Sequence, residues 1–164
     1  MARDDLEKEL EEYILKNKEM HYRLAYSYVK NKEDALDIVQ ESIYKATKSL
    51  KSLKDSTYLK AWFCRIVINT SLDFIRKRKR VIICDEQTLS LFDTGVVDQY
   101  ENIDLKKAIE HLPDSERSII ILRYFEDFKL KEVAEILDQN INTTKARLYK
   151  ALEKLRINMN HFNE

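Results

Sequence analysis

Glycine and proline are almost missing from this chain: Gly95 and Pro113 are the only examples in 164 residues. Strands joined by tight turns need more of both, so the scarcity argues for an all-α protein. Cysteine is nearly as rare. Cys64 and Cys84 are too few for a disulfide scaffold, and their spacing matches no zinc motif. Cys64 lies in the apolar run Trp62 to Ile68 and reads as a small core residue. No run approaches the roughly 18–20 apolar residues of a membrane span, and the N-terminus carries no apolar signal segment. The chain therefore reads as cytoplasmic, with no membrane insertion of its own. His21, His111 and His161 are scattered, with no nucleophile elbow, phosphate loop or HExxH pattern beside them. Neither catalysis nor a metal or cofactor is expected. An excess of one charge is also missing, since 29 Lys and Arg balance 29 Asp and Glu.

That neutral average hides strong segregation. Val81 to Leu105 contains six acidic residues and no Lys or Arg. Basic charge is densest in Arg76-Lys-Arg-Lys-Arg80 and from Lys145 to Arg156. With 44% hydrophobic residues the chain can build cores, and 35% charged residues suits exposed helices. Helical spacing is visible over Leu6–Lys18 (Leu10, Tyr13, Ile14) and His21–Lys30 (Tyr22, Ala25, Tyr26, Val29). It resumes over Glu33–Leu50 (Ala35, Ile38, Val39, Ser42, Ile43, Ala46), where Glu33 and Asp34 suit the positive end of the helix dipole. Lys51–Thr57 is loop-like and Tyr58–Arg80 forms the longest helix of this block. Val81–Asn102 has weak periodicity and reads as an acidic linker. Ile103–Leu112 opens a second block, Pro113 starts or precedes the next helix, and Glu116–Phe125 continues it. The organisation is thus two small helical domains, 1–80 and 103–164, around a linker at 81–102.

The last third carries the clearest chemistry. Leu130, Val133, Ala134 and Leu137 share one helical face, and Asp138-Gln139-Asn140 interrupts the pattern. Asn142-Thr143-Thr144 offers capping oxygens for a second helix. There Ile141, Leu148, Ala151, Leu152 and Leu155 can face inward, while Lys145, Arg147, Tyr149 and Lys150 face out. Two short helices around a tight turn, the second basic, describe a DNA-reading helix-turn-helix. A basic helical hairpin with no DNA role is the plainer alternative. The middle helix sets Tyr58, Trp62 and Phe63 near Arg65, Asn69 and Arg76 to Arg80. Aromatic rings stack on unpaired bases, amides read base edges and cations hold phosphates, a combination suited to melting DNA. The competing reading makes Trp62, Phe63 and Ile66 core and Arg76–Arg80 a solvated helix end.

Three segments, in order, resemble a known family. They are Ala25-Tyr-Ser-Tyr-Val-Lys-Asn-Lys-Glu-Asp-Ala-Leu-Asp-Ile-Val-Gln-Glu-Ser-Ile43, then Trp62-Phe-Cys-Arg-Ile-Val-Ile-Asn-Thr-Ser-Leu-Asp-Phe-Ile-Arg-Lys-Arg-Lys-Arg80, then Leu112-Pro-Asp-Ser-Glu-Arg-Ser-Ile-Ile-Ile-Leu-Arg-Tyr-Phe-Glu126 leading into the helix-turn-helix. Together they are similar to bacterial RNA polymerase sigma factors of the extracytoplasmic-function class, in the sigma-70 family. The resemblance implies a transcription initiation factor that binds core RNA polymerase, through its β′ clamp helices and β subunit, and directs it to promoter DNA. It implies that residues 1–80 serve polymerase and −10 element binding as region 2, and residues 103–164 the −35 element as region 4. Asp37, Gln40 and Glu41 would then meet the β′ clamp helices. The loop with Lys54, Asp55, Ser56 and Tyr58, together with Asn69, would capture a flipped −10 base, with Arg76 and Arg80 beside them. Thr143, Lys145, Ala146, Arg147, Tyr149 and Lys150 would face the −35 element, Ala146 offering an apolar contact such as a thymine methyl. The acidic linker would follow the polymerase's RNA exit path, and a membrane-bound anti-sigma factor is expected as a partner. A dimeric helix-turn-helix repressor or activator, or an adaptor using its helices for protein contacts alone, are the rival functions. A repressor has no use for a strand-melting surface.

Overall fold

The computed structural model describes residues 3–84 and 100–162, and it contains no strand among them. Two compact units divide the chain, residues 1–76 with 135–138 and residues 77–134 with 139–164. The centre of the acidic linker, residues 85–99, lies outside the described residues. Its flanks are helical rather than irregular: α4 continues to Cys84 and α5 begins at Tyr100.

In the first unit, α1 (Arg3–Lys16), α2 (Lys18–Val29), α3 (Lys32–Lys48) and most of α4 (Leu59–Cys84) follow the apolar spacing of the sequence. Asn31 fixes where α3 starts: its side-chain oxygen accepts from the Asp34 N–H at 3.0 Å, satisfying one of the free donors of the first turn. The inward stripe of α2 is rotated from the one the sequence suggests. Ala25 and Val29 are buried as expected, but their companions are His21, Leu24 and Tyr28. Tyr22 and Tyr26 instead stack on each other along the outer side, with ring centroids 6.2 Å apart. Cys64 is fully buried and forms no disulfide among the described residues.

His21 is a core residue. It is 1% exposed, edge-on to Phe63 at 4.6 Å and tilted against Tyr13 at 5.3 Å. Neither ring nitrogen has a hydrogen-bond partner among the described residues. Burial, helped by the Lys60 charge, pushes its pKa down to about 4 from 6.5. Below pH 6.5 the unfolded chain takes up a proton that the folded one refuses, so stability falls as pH drops towards 4. The loss reaches roughly 3 kcal/mol over that window. Thermal melts at about pH 7 and about pH 5 should show a drop in melting temperature that His21→Phe largely removes. Equal drops in both proteins would place the effect on other groups.

The second unit contains α5 (Tyr100–Glu110), α6 (Asp114–Ile120), most of α7 (Leu130–Ile136) and α8 (Ile141–Phe162). Pro113 precedes α6, where a missing N–H costs nothing, and its carbonyl accepts from Arg117 at 2.9 Å. The expected helix to Phe125 is realised in two parts, because Ile121–Phe125 widens into a π turn. There the Glu126 N–H reaches back five residues to the Ile121 carbonyl at 3.0 Å. Three chain turns are closed by residues other than glycine in the left-handed conformation: Lys30 (φ 56°), Asp127 (φ 59°) and Asp138 (φ 53°). At Asp127 this lets the Phe128 N–H bond the Leu122 carbonyl at 3.0 Å, satisfying a helix-end acceptor.

Candidate polymerase and nucleic-acid interfaces

Ala35, Ile38, Val39, Ser42 and Ala46 bury one side of α3. The opposite side leaves Asp37, Gln40 and Glu41 exposed together, as three- and four-residue spacing requires. Glu41 pairs with Lys45 at 3.7 Å on the surface, a contact worth only a few tenths of a kcal/mol. Sequence reasoning missed two apolar members of this surface. Leu36 is 50% and Tyr44 59% exposed, and Lys48 holds its ammonium 4.9 Å from the Tyr44 ring centre. Their signal was available, since Leu36 and Tyr44 stand four residues either side of Gln40, off the buried stripe. Large apolar groups exposed beside carboxylates are what a protein partner covers.

Between α3 and α4 the chain makes two single 3₁₀ turns, Leu50–Ser52 and Ser56–Tyr58. Asp55 caps the second, its carboxylate accepting from the Thr57 N–H at 3.0 Å. Hydrogen bonds from the Thr57 side chain and backbone hold that carboxyl below the usual range. Asp55 thus shapes the loop, while Lys54 and Tyr58 are exposed and Ser56 is half-buried. Trp62 Nε1 donates to Ser52 Oγ at 3.2 Å, tying the loop to the first turns of α4. Phe63, by contrast, is wholly buried against His21. Of the aromatic cluster suggested by the sequence, Phe63 belongs to the core, and Tyr58 and half-buried Trp62 remain at the surface. Trp62, Asn69, Arg76 and Arg80 are separated by seven, seven and four residues, which places all four along one side of α4. Asn69, Arg76 and Arg80 are exposed there. Arg76 also meets Asp73 at 3.4 Å, with both side chains about half in water.

The helix-turn-helix forms, with its turn chemistry shifted from the expected residues. The left-handed residue is Asp138, and the cap of α8 is Asn140, whose Oδ1 accepts from the Asn142 N–H at 2.8 Å. The expected capping residues Asn142, Thr143 and Thr144 lie inside the helix, because an asparagine just ahead of it satisfies those donors first. Thr144 is wholly buried, its hydroxyl 3.0 Å from the Asn140 carbonyl and 3.1 Å from the Gln139 side-chain oxygen. Ile141, expected inward, is 46% exposed, since the first residue of the helix precedes the buried stripe. Leu148, Ala151 and Leu155 are buried as expected. On the far side Thr143, Lys145, Ala146, Tyr149 and Lys150 are all exposed, and Arg147 is half-buried on the flank. A helix that buries Thr144, Leu148 and Ala151 and presents two lysines, a tyrosine and a methyl group can lie in a major groove.

Among the described residues no three His, Cys, Asp or Glu side chains are grouped to hold a metal ion, and no helix is long and apolar enough to cross a membrane. Residues 14–81 match the family described as Sigma-70 region 2, and residues 103–155 match Sigma-70, region 4. The chain is 47% identical over 146 residues to the RNA polymerase sigma factor SigV of Bacillus subtilis (strain 168), spanning 89% of this chain and 88% of the relative. It is 29% identical over 154 residues to the ECF RNA polymerase sigma factor SigW of the same organism, spanning 85% and 82%. The sigma factor RpoE from Bartonella quintana, solved in complex with the anti-sigma factor NepR, superposes with a TM-score of 0.68 at 26% identity, covering 93% of this chain and 98% of that one. CnrH, solved with the cytosolic domain of CnrY, shares the fold at 18% identity and a TM-score of 0.69, over 93% and 88% of the two chains. With two exposed faces on the first unit, an exposed basic helix face on the second and these relatives, the chain belongs to the sigma-70 family, as an extracytoplasmic-function sigma factor that directs RNA polymerase to promoters rather than an enzyme.

Proposed function

We propose that residues 1–80 bind core polymerase and the −10 element, that 81–102 form an acidic tether, and that 103–164 bind the −35 element. Asp37, Gln40 and Glu41 dock on the β′ clamp helices, and Leu36 and Tyr44 extend that contact. Lys54, Ser56, Tyr58 and Asn69 receive a base flipped from the −10 element, in a loop that Asp55 holds in shape, while Arg76 and Arg80 meet the strand's phosphates. Thr143, Lys145, Ala146, Arg147, Tyr149 and Lys150 face the −35 element. The observation that carries this reading is the α8 surface, whose exposed residues are cationic, aromatic and small on the side opposite Leu148 and Ala151. We assign the protein to the cytoplasm, where core polymerase and promoters are. RpoE, one of the similar structures, is solved in complex with the anti-sigma factor NepR, which supports an anti-sigma partner for this chain.

Lys150 is the proposed base reader. A promoter-library selection with Lys150→Ala, scored at each −35 position, should show preference relaxed at one position, equivalent to about 1–3 kcal/mol. Uniformly lower output with an unchanged profile, and a salt slope lower by about one, would reassign Lys150 to the phosphate backbone.

A further inference from the structure

Lys154, one turn beyond Lys150, has the composition of another DNA-contacting cation, yet its ammonium is engaged elsewhere. It donates to both carboxylate oxygens of Glu116 on α6, at 2.9 and 3.0 Å. The Glu116 side chain is only 6% exposed, that of Lys154 39%. Burying a carboxylate without a partner costs several kcal/mol, so this lysine is held in place by the carboxylate it neutralises. Glu116 belongs to the first turn of α6, which packs directly on α8.

The position of Lys154 around α8 gives the contact its meaning. At 100° per residue, Thr144, Leu148, Ala151 and Leu155 cluster within about 60° and form the buried stripe. Lys150 lies roughly 130° round from the centre of that stripe, and Lys154 falls between the two, on the same side as Lys150. Apolar burial along the stripe is non-directional and tolerates rolling of the helix about its own axis. A bidentate ion pair on the flank does not. Thr144 anchors the start of α8 to the turn, and Lys154, ten residues or about 15 Å further on, anchors it to α6. Lys145, Ala146, Tyr149 and Lys150 all lie between these anchors. A roll of about 15° would move groups at the helix surface by about 1.5 Å, beyond the roughly 0.5 Å that a productive contact tolerates.

We infer that the Glu116–Lys154 pair is a positioning device for promoter reading: it sets the roll of α8, and Lys154 is a positioning residue rather than a phosphate contact. This rests on the proposed role of α8 at the −35 element.

Glu116→Gln is the informative variant, because it leaves every cation of α8 in place. In the full-length protein with core polymerase, a −35 library selection should show discrimination at the Lys150-read position reduced at least roughly fivefold. Lys154→Met should loosen the same position while leaving the salt slope of promoter binding as in the native protein. A salt slope reduced by about one in Lys154→Met, with the native preference profile, would make Lys154 a phosphate contact and overturn the inference. Should either single variant fail to fold, the uncharged pair Glu116→Gln with Lys154→Met removes the buried charge and the tether together. The folded double variant should still show loosened preference, and a native profile overturns the inference. Lys150→Ala is run beside these variants. A native profile in Glu116→Gln with an altered one in Lys150→Ala sinks the tether alone, whereas native profiles in both remove Lys150 as the base reader and the tether with it.

Discussion

Asn69→Ala is expected to leave the protein bound to core polymerase and to cut open-complex formation by roughly fivefold to a hundredfold. Asn69 is exposed on the side of α4 that also carries Trp62 and Arg76. Its amide can donate and accept at once, as recognition of a base edge requires. Extracting a base from the stack costs a few kcal/mol, which contacts to the flipped base must offset. Losing an amide that reads a base edge forfeits about 1–3 kcal/mol of that compensation. Asn69 makes no core contact, since Val67, Ile68, Thr70 and Ser71 hold the buried side of the helix, so folding should survive. Permanganate footprinting across the −10 region decides the matter. Native thymine reactivity in the mutant would remove Asn69 from strand capture, and loss of polymerase binding would indicate a damaged fold instead.

The second large effect is expected on α3. Reversing two charges with Asp37→Arg and Glu41→Arg should weaken association with core polymerase by about a hundredfold or more, because like-charge juxtaposition at an interface costs several kcal/mol. Helicity should hold, since arginine is a good helix former and the lost Glu41–Lys45 pair is a weak surface contact. Pull-down with core polymerase, alongside circular dichroism, separates the outcomes. Native affinity in a fully helical double mutant would move the docking surface off this face. Tyr44→Ala is a milder probe of the same surface.

Most of the helix map was legible because so little interrupts it. Apolar spacing located α1 to α8, and Pro113 marked the start of α6. Errors came where several residues could do one job. Asn142, Thr143 and Thr144 all offer capping oxygens for α8 in the sequence, and only geometry shows that Asn140, just ahead of them, accepts from Asn142. Phe63 and Trp62 are neighbours in sequence but 100° apart on α4, so one went to the core and the other to Ser52. The α2 stripe was misjudged because tyrosine serves on either side of a helix, and a buried histidine gives no periodic signal of its own. Leu36 and Tyr44 stand among polar residues that make charge the dominant pattern on that side of α3. The pairing of Glu116 with Lys154 joins residues 38 positions apart and left no trace in local spacing.

Lys30, Asp127 and Asp138 occupy a conformation that glycine enters freely and that costs other L-residues roughly 1–2 kcal/mol. The aspartates soften that cost with short polar side chains, which leaves Lys30 the most strained of the three. None of them is among the residues assigned to polymerase or to DNA. A change to glycine at these turns relieves strain without altering a partner contact, although greater freedom of the unfolded chain offsets part of the gain. A lineage that altered its promoter preference through a destabilising change on α8 therefore has somewhere to restore folding that its promoters cannot sense. At these three turns, selection on folding acts apart from selection on regulation.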